Sequence, residues 1–350
     1  MYLKIKEHLE ILIRMNQNAP NYRLPSESQL TKQFGVSHPT VRHAFSLLEE
    51  EEKIYRLQGK GAYIKHKETV IAHKRYRVGI IIPTIENYFI RLMVRSACYH
   101  LNQRQIDSYI RFIGDDYKEE ENSIYTVIRQ EFHGILIFPT YQNIHNKAYL
   151  KLAMSQYPLV EIGRRRQGLQ ISSVCGDHFR QGYAAAQFLH EKGHTKIGFL
   201  SESAESSEDY ADRIRGYESY VRSKIGASAV RLAEYDLIAS SSIPPFALIQ
   251  KLLTEHDNIT ALIIPARFMV QLAEYLEQSG RTPPEILVLD EMISDFRAVL
   301  PFDLYMLSQQ PQEIGYQAVN QLCGLMDGTA KPQEIIVPEK IEFLPRPFIG

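Results

Sequence analysis

Residues Leu24–Ile64 read LPSESQLTKQFGVSHPTVRHAFSLLEEEEKIYRLQGKGAYI, and the order of caps, apolar positions and turns in this stretch decides the fold of the first part of the chain. Ser26 with Gln29 three residues on has capping-box spacing, in which each side chain satisfies the other's free backbone N–H. The helix so begun carries Leu30 and Phe34 and ends at Gly35, a residue type that tolerates the left-handed turn at a helix end. Ser37 is placed to cap a second helix, with Pro39 in its first turn, where a missing N–H costs nothing. Val41, Ala44, Phe45 and Leu48 recur at helical spacing and predict a buried face, which leaves Thr40, Arg42 and His43 pointing outward. After Ile54 a short β-ribbon is expected, its turn formed by Gln58, Gly59, Lys60 and Gly61, where backbone can approach a phosphate. The parts make a winged helix-turn-helix, and the partner they fit is duplex DNA.

Charge is distributed in keeping with that partner. The 350 residues carry a formal net charge of −1, but residues 1–76 hold 13 Lys+Arg against 8 Asp+Glu, a net of +5, and the remaining 274 carry −6. A small basic module on a mildly acidic body fits a DNA-binding head. The excess is modest, so two heads acting together as a homodimer are expected. Cys98, Cys175 and Cys323 are far apart with no CxxC pair, which predicts neither a zinc site nor a disulfide framework and fits the cytoplasm. The first residues, MYLKIKEHLEILIRM, mix charges into their apolar positions and read as an amphipathic helix, not a signal peptide. No apolar run approaches the roughly 18 residues of a membrane span.

Beyond a polar stretch at 67–76, expected as a linker, short apolar runs alternate with helical stretches over 77–350: RVGIIIP, SYIRFI, GILIFP and LVEI, then KIGFL, ALIIP, ILVL and LYML. Continuous apolar strands separated by helices predict an α/β body with parallel sheets covered on both faces, with strands enough for two lobes.

The combination of LPSE, GVS-x-x-T-V-R and a G-x-G wing resembles the GntR family of DNA-binding domains. That resemblance implies that residues 1–66 form the head, that Ser37, His38, Pro39, Thr40 and Arg42 open the recognition helix, and that Gln58 to Gly61 form the wing; Ser26, Glu27 and His43 complete the candidate DNA-binding set. Ser28 and His38 depart from the arginines the family often carries there. In the body, Asp177, Gly182, Ala185, Leu189, Gly193, His194 and Ile197 fall in the spacing of LacI/GalR-type effector domains. Arg213, Gly216 and Tyr217 match a second element of those domains, and Pro283, Pro284, Asp290, Gln310, Pro311 and Gly315 match later ones. The body thereby resembles the periplasmic-binding-protein fold, two α/β lobes with an effector cleft.

In open α/β sheets ligands bind outside the carboxyl ends of the strands. Tyr88 and Phe89, in the loop after the first body strand, are either ring-stacking effector residues or ordinary core. The resemblance places Arg213 in the cleft, where its planar fork can grip a carboxylate, phosphate or hydroxyl pair, and Asp290 as the acidic effector residue at the end of a C-lobe strand. A solvated carboxylate or the cap of the following helix are the other roles open to Asp290. Ala266 and Arg267 stand where sugar-binding relatives usually carry Asn-Asp, and Gly163 and Arg164 where they often carry Asp-Arg. Two acceptors lost and a donor gained predict an anionic effector, a sugar phosphate or sugar acid held by Arg213 with Arg164 or Arg267. A pocket turned to a non-sugar ligand or a partner protein is the alternative. No GxSxG, HExxH or GxxxxGK[ST] pattern occurs, nor the PLP-lysine body of some GntR-type proteins, so neither an enzyme nor a cofactor is expected. The function implied is a dimeric transcriptional regulator, a repressor of carbohydrate use on a pseudo-palindromic operator, tuned by a small-molecule effector. The stretch 66–76 lacks a LacI-type hinge-helix signature, so signalling through dimer geometry and a flexible linker is expected.

Overall fold

The computed structural model describes residues 1–16, 19, 22–57, 60–65, 76–114, 116–140, 146–166, 169–236, 244–256, 258–292, 297 and 300–346. Gln58, Gly59 and the expected linker up to residue 75 lie outside the described residues. The chain divides into two compact units: Met1–Thr84 with Ala97–Ser173 and Tyr316–Glu334, and Ile85–Ser96 with Val174–Gly315 and Ile335–Gly350.

The first unit contains the head. Helices α1 (Tyr2–Met15), α2 (Glu27–Phe34) and α3 (His38–Glu50) precede the antiparallel ribbon β1 (Ile54–Leu57) and β2 (Gly61–Ile64). Ile5, Leu9, Leu30, Val41, Ala44, Phe45, Leu48 and Ile54 are buried together with Leu24 and Ala62. Burying a side chain of this size is worth about 1.5–3 kcal/mol, so this cluster fixes the outer face of α3. A segment just before α2 joins the ribbon: Arg23 pairs with Tyr63, and the Leu24 N–H donates to the Ala62 carbonyl (2.9 Å). This isolated bridge ties the segment before α2 to the two-stranded wing, a contact the sequence pattern did not signal.

The body of this unit follows the sheet order β13-β7-β6-β5-β3-β4, with β3 Arg77–Ile82, β4 Asp107–Phe112, β5 Gly134–Ile137, β6 Leu159–Ile162, β7 Ser172–Cys175 and β13 Glu334–Ile336. The pairs β3–β4, β3–β5 and β5–β6 are parallel. Helices α4 (Tyr88–Gln103), α5 (Tyr117–Arg129) and α6 (Lys147–Ser155) connect them, and α11 (Pro311–Met326) closes the face over Gly134, where an added Cβ would meet Leu322 Cδ1 at 3.0 Å.

The second unit has the sheet β14-β12-β11-β10-β8-β9, built from β8 Ile197–Glu202, β9 Arg231–Tyr235, β10 Ala261–Pro265, β11 Glu285–Leu289, β12 Leu304–Ser308 and β14 Lys340–Leu344. It is parallel except for β14, which runs antiparallel to β12. Helices α7 (His178–Glu191) and α8 (Glu208–Lys224) cover one face, α9 (Pro245–Glu255) and α10 (Met269–Ser279) the other, each over its own buried cluster. The expected parallel architecture and its eight apolar strands are present. Four strands lie outside those expectations: β7, β9, β13 and β14.

Candidate DNA interface and effector site

The head is built as its spacing requires. The Ser26 N–H donates to Gln29 Oε1 (2.8 Å) and the Gln29 N–H to Ser26 Oγ (3.3 Å), a complete capping box, and Gly35 ends α2 in the left-handed region at φ 62°. One local expectation is corrected: Ser37 occupies the N-cap position of α3 but its hydroxyl accepts no backbone N–H, and pairs instead with Thr40 Oγ1 at 2.9 Å. The short hydroxyl at Thr40, one turn into the helix, competes for it.

His38, Pro39, Arg42 and His43 are exposed on α3, with Thr40 half-buried beside them. Arg42, 66% exposed, lies 3.3 Å from Glu27, and Arg56 reaches the same carboxylate at 3.8 Å and Glu49 at 3.3 Å. Glu27 therefore tethers two arginines at the rim of the recognition helix, while the Arg56 guanidinium also lies 5.4 Å from the Phe45 ring centre. In the wing Lys60 is exposed, and Gly61 has φ 110°. A Cβ on Gly61 would meet Arg23 Nε at 2.8 Å, so the Arg23 guanidinium lies across the wing backbone. Arg23 and Arg56 are thus cations of this surface that sequence spacing missed; Arg23 is brought there by its bridge to Tyr63 and Arg56 by the Glu27 carboxylate it shares with Arg42.

In the second unit, α7 and α8 touch through glycines. An added Cβ at Gly182 would lie 2.8 Å from the Arg213 carbonyl carbon, and one at Gly216 would lie 2.9 Å from that of Phe179. This approach brings Gln181 and Arg213 together at the carboxyl end of the sheet. Arg213 Nε donates to Gln181 Oε1 (3.0 Å), and its two terminal nitrogens donate to Asp290 Oδ2 (3.2 Å) and Oδ1 (2.6 Å). Gln309 Nε2 donates to the same Asp290 Oδ1 (2.5 Å). Asp290 sits at φ 69°, after β11, where its side chain turns back toward Arg213. Burial drives the Asp290 carboxyl pKa up, but the charge and bonds of Arg213, with the Gln309 bond, outweigh it and hold it below the usual range. Burial likewise opposes the Arg213 charge, and Asp290 overcomes it, so that pKa is raised.

Arg267 has its Nε 3.6 Å from Glu202, a buried carboxylate at the end of β8 whose pKa burial raises despite Arg267. Nearby in sequence to Asp290, Glu291 accepts from Ser308 Oγ (2.6 Å) and the Gln309 N–H (3.0 Å); burial pushes its pKa up to about 7. His178 is held by Gln181 (3.2 Å), and burial lowers its pKa. Gln181, Gln309, Glu202, Glu291 and His178 were not among the sequence candidates; Gln181 and Gln309 do directly precede the motif residues Gly182 and Gln310. Phe89 is buried, whereas the half-buried Tyr88 ring lies 4.9 Å from the Arg91 guanidinium. In the first unit, Arg164 donates to the Pro139 carbonyl (3.1 Å) and lies over the Phe138 ring at 4.6 Å.

Arg213 and Arg267 are therefore each balanced by a carboxylate, and the site offers donors and acceptors side by side. Among the described residues no group of three or more His, Cys, Asp and Glu is placed to hold a metal ion, and no described helix is long and apolar enough to cross a membrane.

A winged head on a body of two parallel sheets is the build of a DNA-binding regulator of transcription. A family model for bacterial regulatory proteins of the gntR family matches residues 1–64, and one for the periplasmic binding protein domain matches residues 78–330. The chain belongs to the periplasmic binding protein domain family and carries a gntR-family head. It is similar along its length to the arabinose metabolism transcriptional repressor of Geobacillus stearothermophilus, 23% identical over 336 residues, covering 93% of this chain and 91% of that one. In fold it is similar to the trehalose repressor of Escherichia coli (TM-score 0.65, 19% identity, 76% of this chain and 99% of that one). A lac repressor dimer solved with operator and the anti-inducer ONPF is similar too, at TM-score 0.64 and 15% identity over 77% of this chain and 93% of that one.

Proposed function

We propose that the chain is a sequence-specific repressor of genes for sugar use, acting in the cytoplasm as a homodimer whose operator affinity is tuned by a neutral sugar. One observation carries the choice of effector: the Arg213 fork is neutralised by Asp290 and flanked by Gln181 and Gln309. An array of matched donors and acceptors with no net charge suits hydroxyls, each of which donates one bond and accepts others. An anionic effector would have to compete with Asp290 for Arg213 and with Glu202 for Arg267. The anionic effector expected from the arginine count is thereby disfavoured at Arg213 and Arg267, the two of its three arginines that face carboxylates.

For the homodimer, support comes from the edge strand β4. Tyr109 (49% exposed), Ile110 and Phe112 (56%) stand on it, with Tyr99 of α4 exposed as well. An apolar edge of this kind marks an interaction surface or an aggregation hazard, and a self-complementary two-fold contact would cover it. Two heads would then set recognition helices carrying Thr40, Arg42 and His43 into major grooves one turn apart, or a multiple of it. Ser26, Glu27, Ser37, His38 and Pro39 would position that helix, and the wing with Lys60 and Gly61 would lie over the backbone. A ten- to hundredfold loss of operator affinity on effector binding requires coupling of about 1.4–3 kcal/mol.

The test uses the full chain in two assays. Selection from random duplex DNA should enrich one pseudo-palindrome; no enrichment would overturn the regulator. A thermal-shift panel of neutral sugars, sugar acids and sugar phosphates should respond to a neutral sugar, since ligand at a hundred times Kd adds about 2.7 kcal/mol. A response confined to the anions would restore the anionic effector.

A further inference from the structure

Helix α1 has two opposed apolar faces, and the head's own core uses only one. Ile5 and Leu9 are fully buried in the head. At about 100° per residue, Glu7, Ile11, Arg14 and Met15 lie on the other side of the helix. A head that hung free from a tether would leave that side wet and polar. Instead Met15 is 3% exposed and sits in the cluster of the first lobe with Ile128 and Tyr157, and Ile11 packs against the same cluster. Polar contacts ring it. Arg14 donates to the Ile128 carbonyl (3.3 Å) at the end of α5 and lies 3.5 Å from Glu131, while Arg129 of α5 pairs with Glu7 at 2.8 Å.

We infer that the face formed by α5 and α6 of the first lobe is a docking surface for the head's first helix. Through it the head is held in a set orientation on the lobe that carries it. The basis is the coincidence of a buried methionine, an arginine bonded to a lobe carbonyl and two ion pairs of opposite polarity, Arg14 to Glu131 and Glu7 to Arg129, all on the side of α1 the head core does not use. Exposed ion pairs contribute little by themselves, so Met15 and Ile11 supply the adhesion and the charges fix the register. The consequence rests on the proposed function: lobe movement reaches the recognition helix through packed side chains of α1, and not only through the residues joining head to body. Dimer geometry and a flexible linker, expected from the sequence alone, would then not be the whole signal path.

Amide hydrogen exchange on the intact full-length protein tests the docking without DNA or effector. In Met15→Asp, peptides spanning 126–132 at the end of α5 should exchange at least tenfold faster than in the wild type, while the β5 and β6 peptides and the head peptides over α3 stay unchanged. Arg129→Glu should accelerate the same peptides, and Glu7→Arg with Arg129→Glu should restore them, which excludes unfolding as the cause. Unchanged exchange at 126–132 in both single variants would overturn the inference, as would acceleration in Arg129→Glu that the reversed pair fails to restore. A second arm uses the duplex selected by the wild type, with one or two base pairs inserted between half-sites. The wild type should lose affinity at least tenfold, and Met15→Asp less than threefold. Equal losses in both proteins would overturn the coupling. Selection that yields no duplex, with exchange as expected, would remove the repressor function and leave the docking standing.

Discussion

Replacing Gly182 by Ala sets two effects of opposite sign against each other. In an open helix the change stabilises, because Ala exceeds Gly in helix propensity by about 0.8–1 kcal/mol. Here the new Cβ would lie 2.8 Å from the Arg213 carbonyl carbon and 3.0 Å from its Cα, overlapping the carbonyl oxygen between them. The obstacle is backbone, which cannot rotate aside, and carbon–oxygen contacts settle near about 3.3–3.6 Å. Helices α7 and α8 must part, and overpacking of this kind costs typically about 1–3 kcal/mol. With a rigid obstacle the cost falls at the upper end, so about 3 less about 1 leaves a net loss of about 2 kcal/mol. Urea unfolding followed by circular dichroism reads this as a midpoint lowered by about 1 M for a slope near 2 kcal/mol/M. The residue pushed is Arg213 itself, so its bond to Gln181 lengthens and affinity for the proposed neutral sugar falls with stability. An unchanged or higher midpoint would refute the reasoning, since propensity would then have won over packing.

Asp290→Asn leaves Arg213 buried without its counter-charge; breaking such a pair costs about 3–5 kcal/mol, to be read as lost thermal stability and lost sugar binding. Because Asp290 has a folded-state pKa below the usual one, its contribution is present above the unfolded value of about 3.9 and disappears as pH falls through the folded value. The gap between wild type and variant should therefore close in acid. Glu291 behaves oppositely. Its pKa is raised to about 7, so its share of stability is present below the unfolded carboxylate value and is lost as pH rises through about 7; Glu291→Gln should flatten that slope in unfolding titrations. Arg42→Ala should cost about 1–3 kcal/mol of operator affinity if the side chain reads a base. A uniform loss across operator variants, with a shallower salt dependence, would make it a phosphate contact.

What was legible in the sequence follows the range of the interactions. The head was readable because capping boxes, left-handed glycines and helical spacing act over four or five residues, and Ser26, Gln29, Gly35 and Val41–Leu48 behave accordingly. Strands buried on both faces announced themselves as apolar runs, except β7, whose fully buried sequence SSVC opens with two serines. Strand β9 did not, because its residues are mostly half-buried, and β14 did not, because it is an edge strand with no buried residue. The charge state of the candidate effector site was the largest omission. Arg213 and Asp290 are 77 residues apart, and the capping or solvated roles open to a lone Asp290 vanish only when the fold brings them together. Arg267 looked like a surplus donor until β8 placed Glu202 beside it. Counting arginines without their partners overestimated the positive charge of the site.

The bifacial helix α1 has a consequence during synthesis. The head is finished by residue 64, and its contacts are short in range, so it can fold as soon as it emerges. The surface that covers Ile11 and Met15 needs α5 and α6, which end at Ser155, some ninety residues later. At about 5–20 residues per second that interval lasts roughly 5–20 s. For that time a folded, positively charged head trails an uncovered apolar stripe from the ribosome, and it can meet nucleic acid before its own lobe exists to hold it.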